Sequence, residues 1–88
     1  MPELVLRRPG LVRDADGEPF MAMVYGDQQP DGAWRGWLTF IDHEGDLILR
    51  TETETTQPDQ TALTRWATGL DEAAFQQALA RAEQRLAS

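Results

Sequence analysis

The chain predicts an α+β fold: an antiparallel meander of three or four strands, followed by two C-terminal helices packed on the sheet. Three observations predict it. Up to residue 56, apolar residues alternate or run in short blocks between turns rich in Gly, Pro and Asp. Beyond Pro58, the apolar spacing changes to threes and fours. The segments 20–25 (FMAMVY) and 34–41 (WRGWLTFI) are apolar on both alternating faces, as in strands covered from two sides.

Each element follows in order. Residues 4–6 begin a short strand that Pro9 and Gly10 interrupt, and residues 11–13 continue it. Residues 14–17 (DADG) form a turn, since Asp bonds its own backbone and Gly accepts positive φ. A strand runs from 19 to 25, with Pro19 at its tolerated first position. Residues 26–32 (GDQQPDG) read as a polar loop, and 34–42 as the next strand. Gly36 inside that strand suggests a bulge, or a flat surface for a neighbouring aromatic. A tight turn over 43–46 leads to a last strand over 47–53. Its acidic, Thr-rich end puts Thr51, Thr53 and Thr55 on one face and Glu52 and Glu54 on the other.

Thr56 reads as the N-cap of the first helix, with Asp59 three residues on and Pro58 in the first turn. Leu63, Trp66, Ala67 and Leu70 share its inner face, and Gly69 ends it. Asp71 caps a second helix, where Phe75, Ala78, Leu79, Ala82 and Leu86 form one narrow apolar stripe. The whole is a single domain over 1–88, with the meander in 1–56 and the helical pair in 57–88.

Alternation sorts the strand residues into two sets. Phe20, Ala22, Val24, Trp34, Leu38 and Phe40 point one way. Met21, Met23, Tyr25, Arg35, Trp37, Thr39 and Ile41 point the other. The helices cover one set. The second set is the candidate interface of a homodimer, because a second subunit is the simplest cover for it. Two rivals remain: the N-terminal strand folds over that face, or the helices divide between the faces.

The residue inventory excludes much chemistry. The chain has no Cys and no Lys, one Ser at position 88, and one His at position 43. That removes thiolate and Schiff-base chemistry and the usual hydroxyl nucleophile. Asp42, His43, Glu44 and Asp46 are the one grouping of metal-ligand types, but consecutive residues of a tight turn rarely converge on an ion, so no metal is expected. Glu52 and Glu54 stand at paired-carboxylate spacing, yet their surroundings are too polar to raise a catalytic pKa. No cofactor is expected, and the chain reads as non-enzymatic. A net charge of −7 disfavours nucleic-acid binding. The local cluster of Arg7, Arg8 and Arg13 reads as a solvated edge that deters strand pairing. No apolar run suits a membrane span, and the first residues do not form a secretory core, so a cytoplasmic location is expected.

The string Trp34-Arg35-Gly36-Trp37-Leu38-Thr39-Phe40, with Glu54-Thr55-Thr56-Gln57-Pro58 and Trp66-Ala67-Thr68-Gly69-Leu70, resembles a family of short bacterial proteins of uncharacterised function. Their pattern is W-x-G-W-L-x-F, then E-T-T-Q-P, then L-x-x-W-A-x-G-L. The resemblance spans about two-thirds of the chain and implies a bacterial protein, without supplying catalytic or binding residues. In layout alone, the meander before a helix is similar to HicB-type antitoxin domains. The function expected is a protein–protein interaction module working as a homodimer. The alternatives are a small-ligand binder using the Trp/Met face, and an acidic antitoxin-like or nucleic-acid-mimicking partner of another protein.

Overall fold

The computed structural model describes residues 1–87. In chain order its elements are β1 (Glu3–Arg7), β2 (Val12–Arg13), β3 (Pro19–Gln28), β4 (Trp34–Asp42), β5 (Ile48–Arg50), β6 (Thr55–Gln57), α1 (Gln60–Thr68) and α2 (Glu72–Ala87). All pairings are antiparallel. The strands lie in the order β1-β3-β4-β5, with β2 also on β3 and β6 also on β4. This is the α+β meander with two C-terminal helices that the pattern predicts.

The β3–β4 ladder sets the frame. It runs unbroken from Phe20↔Asp42 to Gln28↔Trp34, so β3 extends three residues past the predicted end at Tyr25. The extension needs Gly26 opposite Gly36, because Leu63 of α1 lies over both. A Cβ on Gly36 would stand 2.6 Å from Leu63 Cδ1, and one on Gly26 would collide with Leu63 Cδ2. Gly36 therefore marks neither a bulge nor an aromatic seat. It is half of a socket for a leucine that is fully buried. The connecting turn shrinks to 29–33, closed by Gln29 N–H donating to Ala33 O at 2.7 Å, with Gly32 at φ 90°.

The predicted last strand is split. Residues 51–54 leave the ladder between β5 and β6, tethered by Thr51 N–H to Leu38 O and Glu54 N–H to Gly36 O. Thr51 turns inward and is 1% exposed. Its Oγ1 accepts from Leu38 N–H at 3.1 Å and donates to Glu52 O at 2.9 Å. The hydroxyl thus stands in for a strand carbonyl. The simple alternation expected for 51–55 does not hold here.

Asp59, rather than Thr56, caps α1. Residues 55–57 are held extended by pairing with β4, and Asp59 Oδ1 accepts from Ala62 N–H at 2.8 Å. Gly69 ends α1 and Asp71 caps α2, its carboxylate accepting from Ala74 N–H at 2.8 Å, both as read. Both helices lie on one face. Phe20, Ala22, Val24, Leu38, Phe40 and Leu49 pack there against Ala67, Phe75, Ala78, Leu79 and Ala82, with Val12 at the margin. Each large side chain buried so completely contributes roughly 1.5–3 kcal/mol by transfer from water. Trp66 and Leu70 sit half-buried at the edge. The α2 stripe is buried through Ala82, but Leu86 is 62% exposed, where the sheet offers only the short β5. β1 lies in the plane of the sheet beside β3. Among the described residues neither rival cover for the second face is therefore realised: no strand folds across it, and the helices do not divide.

Candidate interface on the open sheet face

Pairing register places the open-face residues in four rows across the strands. The first is Met21–Ile41–Ile48. The second is Arg7–Met23–Thr39–Arg50. The third is Leu4–Tyr25–Trp37, and the fourth is Asp27–Arg35–Thr56. All seven residues of the predicted interface, Met21, Met23, Tyr25, Arg35, Trp37, Thr39 and Ile41, lie together on this face.

Their exposure is uneven. Met23 and Trp37 are each only 4% exposed, whereas Ile48 is 63%, Leu4 48% and Met21 37% exposed. The subunit covers the two buried residues with its own side chains. The Arg50 guanidinium lies over the Trp37 ring, 4.2 Å from its centroid, and the Tyr25 hydroxyl reaches Met23 Sδ at 3.9 Å. A shallow depression of about 330 Å³ remains above them, lined by Pro2, Tyr25, Trp37, Thr39, Ile41, Ile48 and Arg50. What this face offers a partner is therefore Leu4, Met21 and Ile48, with half-buried Tyr25 and Ile41 between them.

Sequence reasoning missed Leu4, Arg7, Ile48 and Arg50. A turn-to-turn count from the 43–46 hairpin would have found Ile48 and Arg50, since these pair with Ile41 and Thr39. Leu4 and Arg7 were hidden by a register shift between Leu4 and Leu6, which puts both on the open face although their numbers differ in parity.

Charge is distributed unevenly. Among the described residues, Arg7, Arg35 and Arg50 stand on this face against one acid, Asp27, which pairs with Arg35 at 3.3 Å. The open face is thus net positive in a chain of charge −7. The turn at the end of β4 is acidic. There the Asp42 carboxylate accepts from Leu47 N–H at 3.1 Å, so it serves the hairpin. His43 and Glu44 lie 3.9 Å apart and exposed. Glu54 is paired with Arg81 of α2 and Glu52 is exposed, so these two do not form a carboxylate pair on one strand.

One ionisable cluster was not anticipated. Asp14 Oδ1 accepts from the N–H groups of Asp16 and Glu18, both at 2.9 Å, and Glu83 of α2 meets it. Burial, then the bond to Asp14, then the charges of Asp14 and Asp16 push the Glu83 carboxyl up to about 7. Burial raises Asp14, but its bonds from Glu83 and from the turn backbone prevail and hold it below the ordinary value.

No family model, curated protein or solved structure matches this chain. Among the described residues, no helix is long and apolar enough to cross a membrane.

Proposed function

We propose that this chain is a non-enzymatic protein–protein interaction module that forms a homodimer through its open sheet face. One observation carries the reading. Two apolar rows run across adjacent strands on a face that no element covers among the described residues, while both helices occupy the other face. Exposed apolar patches of this kind mark interaction sites, and a two-fold interface uses the same patch twice. The arginines sit in the second and fourth rows, two of them at strand edges, which suits the polar rim of an interface. A bacterial, cytoplasmic setting is part of the same proposal and rests on the motif resemblance and the cysteine-free composition.

The depression over Trp37 supports a second reading, a small ligand held by Arg50 and the Trp37 surround. Its shallowness favours the flat partner.

Light scattering on the wild type and on Ile48→Glu tests the dimer. Ile48 is the probe because its side chain is exposed, whereas Trp37→Glu would bury a charge inside the subunit. The expected result is a dimer at micromolar concentration that the substitution converts to a folded monomer. A monomeric wild type, or a dimer untouched by the substitution, overturns the reading.

A further inference from the structure

The two edges of the sheet are protected differently. β1 carries a register shift between Leu4 and Leu6, with Arg7, Arg8, Pro2 and Pro9 along it and at its ends. These are the devices that keep an edge strand from pairing. β5, at the opposite end of the strand order, has its shortness, and its Arg50 guanidinium is folded back over Trp37. Its register on β4 is continuous from Asp42–Leu47 to Thr39–Arg50. Leu47 and Ile48 are exposed along it, as is Leu86 of α2 above it. A depression of about 220 Å³ lies among Leu49, Ala82 and Leu86.

We infer that a second copy of the chain pairs antiparallel with this edge, about a two-fold axis at Ile48. The segment Asp46-Leu47-Ile48-Leu49-Arg50 is complementary to itself when reversed. Centred on Ile48, it sets Asp46 opposite the partner's Arg50, Leu47 opposite the partner's Leu49, and Ile48 opposite its own copy. Two opposite-charge pairs and three apolar pairs result, all of the kinds that stabilise adjacent strands. A register centred on Leu49 would instead bring Asp46 against the partner's Glu52. The backbone suits the first register. Leu47 O accepts from Asp42 N–H, and Thr51 N–H donates to Leu38 O, so alternation turns residues 48 and 50 outward. Arg85 donates to Arg50 O at 3.3 Å, which leaves that carbonyl a lone pair for a second donor. Parity puts Leu47 on the helix side with Leu49, so each Leu47 enters the partner's depression beside Leu86. Past these five residues the lines part: Gly45 turns at φ 78°, and residues 51–54 leave the ladder. The contact is separate from the face-to-face dimer proposed above and does not rest on it. Five residues a side make a small interface, so this is a weak step that sets in as concentration rises.

The chain has no cysteine, so Ile48→Cys supplies a single thiol. In the paired edges the two Cα atoms at 48 stand about 5.5 Å apart, within the disulfide range of about 4.4–6.8 Å. In a face stack they are at least about 10 Å apart, the spacing of packed sheets. Oxidation should therefore link Ile48→Cys chains much faster than Met21→Cys chains, whose thiol lies on the same row two strands inward. Asp46 is exposed and outside the four rows. Asp46→Arg should weaken the concentration-dependent step in light scattering about tenfold or more, since two opposite pairs become like pairs. It should do so although it lowers the overall negative charge, which by itself favours association. Linking at 48 no faster than at 21, or association unchanged in Asp46→Arg, overturns the edge pairing and leaves the face dimer standing. Fast linking at 48 in a protein whose association Met21→Glu leaves unaltered overturns the face dimer and supports the edge pairing. A wild type still monomeric at millimolar concentration overturns both.

Discussion

The two faces of this sheet are built from the same strands and nearly the same residue types, yet they are held shut differently. On the helix face, Phe20, Ala22, Val24, Leu38 and Phe40 are sealed by side chains from two helices. On the open face, Met23 and Trp37 reach comparable burial under their neighbours Tyr25 and Arg50. The first is a core in the packing sense, with partners above and below. The second is a single layer closed by the long, amphipathic side chains of Tyr25 and Arg50. Burial alone therefore does not distinguish a two-sided core from a single covered layer. What covers the residue does.

Truncation should break that symmetry first. Phe40→Ala should cost about 3–5 kcal/mol, and Phe75→Ala and Leu79→Ala about 2–5 kcal/mol each, because nothing can close the cavities left. Ile48→Ala on the open face should change subunit stability by less than about 1 kcal/mol. Urea melts of the four variants would erase the distinction if the losses came out equal.

A second test concerns the Thr51 hydroxyl that accepts from Leu38 N–H. Thr51→Val keeps the shape but leaves Leu38 N–H unpaired in the interior. The expected loss is about 1–3 kcal/mol, read from denaturant midpoints. A neutral substitution would mean that the ladder bond from Thr51 N–H to Leu38 O holds the segment by itself.

Smaller effects sharpen the comparison. Arg50→Ala should cost about 0.5–1 kcal/mol, the worth of an exposed cation over an aromatic ring, while opening Trp37 to solvent. Acrylamide quenching of Trp fluorescence should rise in this variant and stay unchanged in Arg65→Ala, whose exposed side chain is on α1.

The mildest probe is pH. Folded Glu83 holds its proton to about pH 7, whereas the unfolded chain releases it near 4.5. Its contribution is complete below 4.5 and fades as pH rises through 7, so stability should fall across that window. Asp14 acts in the opposite sense, its contribution being lost only in acid below its ordinary value. Thermal melts between pH 5 and 8 should show the decline in the wild type and a flatter profile in Glu83→Gln.

Period and parity made most of this legible in the sequence. The meander, the pair of helices, the Asp71 cap and the division of β3 and β4 into two faces all follow from local rules. Three things did not. The break at Thr51 depends on where one hydroxyl finds a backbone N–H thirteen residues away, which no local pattern encodes. The start of α1 was misplaced because Thr56 looks like a cap until β6 claims it for the sheet. Parity groups the open-face residues of β3 and β4, but it does not give their exposure. Size and greasiness nominate Trp37, whereas exposure belongs to Ile48, and only the position of Arg50 explains why.

The Gly26–Gly36 socket has a consequence for how the chain finds its register. A slip of one residue between β3 and β4 would put Arg35 or Trp37 where Leu63 must enter, and α1 could not seat. The helix therefore works as a gauge: it docks only on a correctly paired hairpin and leaves mispaired ones uncapped. Substitutions at Gly26, Gly36 and Leu63 should accordingly be linked in their effects, with a smaller residue at 63 relieving an alanine at 36.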